Sequence, residues 1–341
     1  MTPSFWQTLP KPIVALAPMD GVTDAAFRYI SAKHGRPDIH FTEFTHVEGI
    51  CRAIPNVLRN LEYNEMERPV VAQIFGNEPA AFYKAAHIIG ALGFDGIDIN
   101  MGCPDRAIAS RGCGAGLIQT PKLAQEIIRA TQQGARDFAK GQGALPGRVP
   151  LPVSVKTRLG YDCIVIEDWI RYLLETEPAA ITLHGRTLKQ GYRGEADWDA
   201  IGQAAEIAHT TQTLLLGNGD ILTPADACNK ISQYGVKGVL VGRGAMGNPW
   251  FFLDKDAIRS STPPSTGFEI SRQDRWKVAL EHAEYFDRIR GTIPFPIMRK
   301  HLGWYARGKE GGLRSQLVRA GSLAEVKQLL VNEGHFVAPI H

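Results

Sequence analysis

Short apolar runs rich in β-branched residues recur through the first 245 residues, and each is followed by a stretch whose apolar positions repeat at helical spacing. Such an alternation predicts parallel strands joined by helices. Eight runs stand at 13–19, 39–44, 70–75, 96–101, 153–158, 181–184, 213–217 and 238–241. Eight strand–helix units close a (β/α)8 TIM barrel, although an open doubly wound sheet can use the same alternation. The run ends favour the barrel. Pro18-Met19-Asp20, Glu43, Gln73, Asn100, Lys156, His184, Asn218-Gly219-Asp220 and Arg243 place functional groups at the strand ends, where barrel enzymes build their sites.

The chain has 341 residues, more than the roughly 250 of a barrel alone, so a second domain is expected. The Gly- and Pro-rich stretch 141–152 reads as a long loop before the fifth strand. The Ser-, Thr- and Pro-rich stretch 260–267 reads as a linker, and beyond it Trp276, Leu280, Ala283 and Phe286 follow a helical repeat. The expected organisation is therefore a catalytic barrel over 1–259, a linker over 260–267 and a helical domain over 268–341.

Composition narrows the class. A hydrophobic fraction of 44% and a charged fraction of 21% are those of a globular protein, with no low-complexity tract. Cys51, Cys103, Cys113, Cys163 and Cys228 lack CxxC spacing, which argues against a disulfide framework or a zinc knuckle and for a reducing cytoplasm. The N-terminus has no secretory pattern and no run is long enough to span a membrane. Neither clustered histidines nor paired carboxylates accompany the strand ends, so no metal or glycosidase chemistry is expected. A net charge of +3 does not imply a nucleic-acid partner by itself.

The seventh and eighth runs end in Gly217-Asn218-Gly219-Asp220 and Gly242-Arg243-Gly244, where glycines let backbone N–H groups approach an anion and Arg243 adds a charged fork. This pattern suits a phosphate, and one such turn alone would be only a turn. A phosphate handle fits a sugar phosphate or a flavin. Gln73, Asn100, Lys156 and His184 lean towards the flavin, since a lysine beside the N1/O2 edge stabilises a reduced, anionic ring. A sugar-phosphate isomerase or aldolase would instead use Lys156 as a Schiff-base amine. Cys103 follows the fourth run, with Pro104 stopping the strand beside it. With an ordinary thiol pKa of about 8.5 it suits a general acid near neutrality. Cys113, within the Gly-rich run 112–116, is the rival thiol, and Cys51, Cys163 and Cys228 read as structural.

These residues resemble the tRNA-dihydrouridine synthases, flavoenzymes that reduce uridines in tRNA. The resemblance covers nearly the whole chain: Ala17-Pro18-Met19-Asp20-Gly21-Val22-Thr23-Asp24, the stretch 98–104, Val155-Lys156-Thr157-Arg158, His184-Gly185-Arg186-Thr187, Asn218-Gly219-Asp220, Gly242-Arg243 and Arg299-Lys300-His301 match its motifs in order. It implies FMN at the barrel mouth, contacted by Pro18, Met19, Asp20, Gln73, Lys156, Asn218, Gly219, Asp220, Gly242 and Arg243, with His184 beside them and Cys103 as proton donor. Where members of the family often carry a lysine soon after that cysteine, this chain has Arg106, and Cys113 stands where a small residue is usual. The segment 184–192 is similar to the branch that acts at position 16 of the D-loop.

The expected reaction has NADPH, or NADH, reduce FMN, after which a flipped-out uracil takes hydride at C6 from N5 and a proton at C5 from Cys103. Asn100, Arg158 and Arg186 are expected to orient the uracil. Between 288 and 319 the basic residues Arg288, Arg290, Arg299, Lys300, Arg307, Lys309, Arg314 and Arg319 face the single acid Glu310, a composition suited to tRNA phosphates. Trp304 and Tyr305 among them read equally as core or as base-stacking rings. A monomer is adequate for one tRNA per site. The alternative is a flavin dehydrogenase of free pyrimidines, of dihydroorotate or dihydropyrimidine type, and the basic C-terminal region argues against it.

Overall fold

In the computed structural model, which describes residues 4–141, 149–260, 270–308 and 311–334, the apolar runs form one parallel sheet. Its strands are β1 (Ile13–Leu16), β2 (His40–Phe41), β3 (Thr45–His46), β4 (Val70–Phe75), β5 (Gly96–Met101), β6 (Val153–Arg158), β7 (Ala180–His184), β8 (Leu214–Asn218) and β9 (Gly238–Val241). The order is β1-β9-β8-β7-β6-β5-β4-β2, and bonds from Leu16 N to Ile39 O (3.1 Å) and from Asp38 N to Val14 O (3.0 Å) join the ends. The result is a nearly closed (β/α)8 barrel.

Two predicted strands come out differently. The run 39–44 splits into β2 and β3, which pair with β4 one after the other. At the break the hydroxyl of Thr42 accepts from Gln73 N (3.0 Å), so a side chain replaces a ladder bond. The first strand stops at Leu16. Ala17 N still reaches Val241 O (2.9 Å), but Pro18 has no N–H to continue the ladder.

Alternation along the strands separates two apolar layers. Val14 and Leu16 face outwards into the cluster formed with the surrounding helices, whereas Ile13, Ala15 and Ala17 face the lumen with Phe41, Val71, Leu216 and Leu240. Trp6, from the short helix Phe5–Thr8, joins this lumen cluster beside the strand starts. The same alternation carries Gln73, Asp98, Asn100, Ser154, Lys156 and Arg158 into the lumen towards the strand ends.

The C-terminal helices Arg272–Ile289, Arg299–Tyr305, Gly311–Leu317 and Leu323–Asn332 share a separate apolar cluster. Trp276, Ala283 and Phe286 are buried at the predicted helical spacing, and Ala26, Ile30 and Trp250 from the barrel part join them. Tyr29 stacks on Tyr285 at 3.8 Å, and Glu281 pairs with both Lys33 and His34. The helical layer thus leans on the first barrel helix, Ala25–His34. Residues 261–267 of the expected linker, 142–148 of the expected loop and 335–341 of the helical region lie outside the described residues. No helix among the described residues is long and apolar enough to cross a membrane.

Candidate functional site

A cavity of about 620 Å³ opens at the C-terminal ends of the strands, within the range of small-molecule sites. It gathers Pro18, Met19, Asp20, Asn100, Cys103, Lys156, Arg158, His184, Arg186, Asn218, Gly219, Asp220, Gly242 and Arg243. Fourteen separate sequence expectations therefore meet in one space. Gln73 is not on its wall; it lies fully buried beneath it.

On the β4–β6 side the lumen groups bond to one another. Ser154 Oγ donates to Asp98 Oδ1 (2.6 Å), Gln73 Nε2 donates to Asp98 Oδ2 (2.7 Å), and Asn100 Nδ2 donates to Gln73 Oε1 (3.0 Å). Asn100 Oδ1 then accepts from the backbone of Gly102 (3.0 Å) and of Cys103 (2.8 Å). The chain of bonds runs from the barrel floor to the turn that carries the thiol. Burial pushes Asp98 up to about 6, and the bonds from Ser154 and Gln73 pull the other way. Burial also pushes the Cys103 thiol above its ordinary value, and the carboxylates of Asp105 and Asp20 add to this against the Asp105 amide. A raised thiol keeps its proton at neutral pH and can give it away.

Arg158 holds the next loop in place, donating from Nε to Gly102 O (2.7 Å) and from Nη1 to Thr187 O (3.2 Å) and Gly191 O (3.3 Å). Lys156 differs from these neighbours. Its ammonium lines the cavity without a hydrogen bond or ion pair to any described residue, and burial, helped by Arg158, lowers it to about 8. His184, also on the wall, is held well below its ordinary value by burial and then by nearby cations, so it is neutral.

On the β7–β9 side, charge is anchored by Asp220. Arg186 grips both its carboxylate oxygens (3.1 and 2.7 Å) and donates as well to Gly194 O (2.6 Å), which engages this buried guanidinium on several sides. Arg243 pairs with the same carboxylate from the exposed side. Asp220 sits at φ 53°, a left-handed conformation unusual for a non-glycine residue, and its bonds to Arg186 and to Ala196 N (2.7 Å) hold it there. Its pKa is lowered: burial acts upwards, and the bonds from Arg186 and Ala196 outweigh it together. Gly219, at φ 126°, has no room for a side chain, since a Cβ would stand 2.7 Å from that of Ala196. Asn218 is fixed by its bond to Leu240 O (2.8 Å).

The basic residues of the helical layer are not one uniform surface. Arg290 pairs with Asp287, Arg299 donates to the carbonyls of Ala320 and Arg319, and Arg314 reaches Gly303 O. Arg288 covers the Tyr285 ring at 4.7 Å, while Arg307 and Arg319 are exposed. Burial raises the carboxyls of Asp20 and Asp24, and Lys300 is close enough to oppose both shifts, which puts it beside the cavity rim. Tyr305 is buried and bonded to His282 Nδ1 (3.2 Å), so it is a core ring; Trp304 is half-buried. Lys309 and Glu310 lie outside the described residues.

Several wall residues were not anticipated as site residues from sequence. Tyr192 lines the cavity although 68% of it is exposed, and Phe44 and Met246 supply apolar wall. Tyr192 lies in a loop whose path depends on Arg158 and Arg186, so no strand periodicity marked it. Glu43 accepts from Gly21 N (2.5 Å), and burial followed by Asp24 pushes it up to about 7. Cys113, buried with a raised thiol, is not on the cavity wall.

Residues 15–334 match the family described as dihydrouridine synthase. The "Probable tRNA-dihydrouridine synthase" of Staphylococcus aureus strain COL is 36% identical over 337 residues, which cover 97% of this chain and 95% of that protein. The "Probable tRNA-dihydrouridine synthase 2" of Bacillus subtilis strain 168 is 37% identical over 338 residues, covering 97% and 96%. Among solved structures, histamine dehydrogenase from Rhizobium sp. 4-9 superposes with a TM-score of 0.51 at 13% identity, covering 78% of this chain and 49% of that one. At that identity the likeness is one of fold.

Proposed function

The chain belongs to the dihydrouridine synthase family, and from that membership we propose that it uses FMN and NADPH to reduce uridines in the D-loop of tRNA to 5,6-dihydrouridine. The observation that carries the reading is the meeting of Cys103 and the unpartnered ammonium of Lys156 in one cavity. That ammonium fits the N1/O2 edge of a flavin ring. Gly219, Gly242 and Arg243 fit its phosphate, because a cradle of close backbone and one exposed guanidinium suits an anion. When bound, FMN would supply hydride from N5 to uracil C6, having been reduced by NADPH.

The protein's own residues do the rest. Cys103 holds a proton at neutral pH and delivers it from Sγ to C5. Asn100 fixes the turn under the thiol, and Arg158 and Arg186 hold the loop that carries Tyr192 over the cavity. The uracil has to leave its stack to enter, and an RNA loop makes that less costly than a duplex would. Arg288, Arg307 and Arg319 offer charge to tRNA phosphates, and Lys300 offers it near the rim. The enzyme works as a monomer in the cytoplasm.

The test is to incubate the purified protein with NADPH and tRNA from a strain lacking its own synthases, then map dihydrouridine by mass spectrometry. Modification in the D-loop is expected. Turnover of free uracil or orotate without any change in tRNA would replace this reading with that of a free-pyrimidine dehydrogenase.

A further inference from the structure

Behind the cavity wall, the helical layer meets the barrel at three side chains that the proposed reaction does not use. Asp24 begins the first barrel helix, His282 lies on the helix Arg272–Ile289 and His301 on the helix Arg299–Tyr305. Each offers one ligand atom, and these atoms lie within 4.8 Å of one another. Both imidazoles are buried, at 0% and 1% exposure. Among the described residues, His282 Nε2 and both nitrogens of His301 have no hydrogen-bond partner. Buried polar nitrogens without partners are rare, since leaving one unmade costs about 1–3 kcal/mol. Two neighbouring histidines with three such atoms therefore point to a ligand they share.

The surroundings are arranged for ligation. Tyr305 Oη stands 3.2 Å from His282 Nδ1, and an Nδ1–H donated to that oxygen leaves the Nε2 lone pair free, as outer partners do for metal-binding histidines. Asp24 uses Oδ1 to cap its helix at Phe27 N (2.8 Å), and its carboxyl is the third group of the cluster. The imidazole rings stand 4.8 Å apart, with Phe27 against both and Trp304 against His301. Lys300 nearby opposes a cation, and the carboxyl of Asp24, itself one of the three groups, supplies the negative charge of the set.

We propose that Asp24, His282 and His301 bind a divalent transition-metal ion of zinc's class, which clips the first barrel helix to the helical layer. Two imidazoles and a carboxylate are a ligand set that zinc takes at about 2.0–2.2 Å, with a fourth position left for water. A tetrahedron of that size has edges of roughly 3.3 Å, so the side chains draw together on binding. The sequence shows no such spacing, because the ligands come from three separate helices.

The test uses the full-length, flavin-loaded protein prepared in zinc-supplemented medium without chelators. Elemental analysis is expected to find about one zinc per chain, stripping it should lower the thermal midpoint, and adding zinc back should restore it. Cobalt(II) added to stripped protein should give tetrahedral d–d bands to the red of the flavin absorption. His301→Gln should lose both the metal and the bands; should that variant fail to fold, the cobalt spectrum of the unsubstituted protein decides. Folded, unsubstituted protein that holds only trace metal and gives no cobalt bands would overturn the proposal. So would full metal content in His301→Gln. None of these measurements reads tRNA reduction, so the clip and the proposed reaction stand or fall separately.

Discussion

The two halves of the barrel mouth solve different problems with similar residues. On the β4–β6 side, neutral amides, a hydroxyl and one buried carboxyl form a closed run of hydrogen bonds that ends at the Cys103 turn. On the β7–β9 side, two arginines meet one carboxylate, and glycines bring the backbone to the surface. The first half gains geometric certainty, because a satisfied buried network has few alternative arrangements. The second half concentrates fixed charge. Lys156 stands between them with no partner among the described residues, and the difference teaches that an ammonium left unpaired beside bonded groups is open to a ligand.

The largest expected effect separates the thiol from everything that holds it. Cys103→Ala should leave flavin bound and reducible by NADPH but lower tRNA reduction by roughly 10²–10⁴-fold, the usual worth of a general acid. Single-turnover assays of the two half-reactions check this, and equal losses in both would sink the assignment. On the other half, Asp220→Ala strands the buried Arg186 guanidinium. Removing one partner of a buried pair costs about 3–5 kcal/mol, and the partial exposure of Asp220 puts this one at or below the lower end. Urea unfolding should show the loss, and flavin retention should fall with it.

A smaller effect sharpens the role of the bonded half. If Asn100 positions Cys103, Asn100→Ala lowers kcat by about tenfold with KM for tRNA unchanged, because a misplaced group loses rate before affinity. A raised KM with intact kcat would mean that Asn100 binds the base instead. Glu43→Gln tests the electrostatics of the rim. The folded-state pKa of Glu43, about 7, lies above its ordinary 4.5, so its contribution to stability is present below pH 4.5 and lost as pH rises to about 7. The variant should therefore gain thermal midpoint relative to the unsubstituted protein across that window. The smallest effect is expected of Cys113→Ala, which lies off the cavity wall and should change tRNA reduction less than twofold, a change of about 0.4 kcal/mol or less in barrier.

Much of this was legible in the chain. The strand periodicity, the polar run ends, the two glycine turns and the thiol after β5 were all local patterns, and closing the barrel places local patterns from eight strand ends around one axis. Gln73 was legible as a strand-end residue expected to meet the flavin but not as one beneath the cavity, because depth along a strand depends on the stagger of its neighbours. The charge of the helical layer was legible as composition. Which arginines are free was not: Arg290 is held by its sequence neighbour Asp287, whereas Arg299 is engaged with the carbonyl of Ala320, a group that only the fold brings near.

By itself, then, the sequence pointed to the barrel through the spacing within each element and the polar groups at its run ends, and to the family through the resemblance of its motifs. Only the tertiary structure decided which of those residues are occupied by one another and which stand open, and it alone joined Asp24 to His282 and His301. The reason is physical. Periodicity specifies the face on which a side chain lies, whereas a partner is specified by distance across elements hundreds of residues apart, and no local pattern carries that distance.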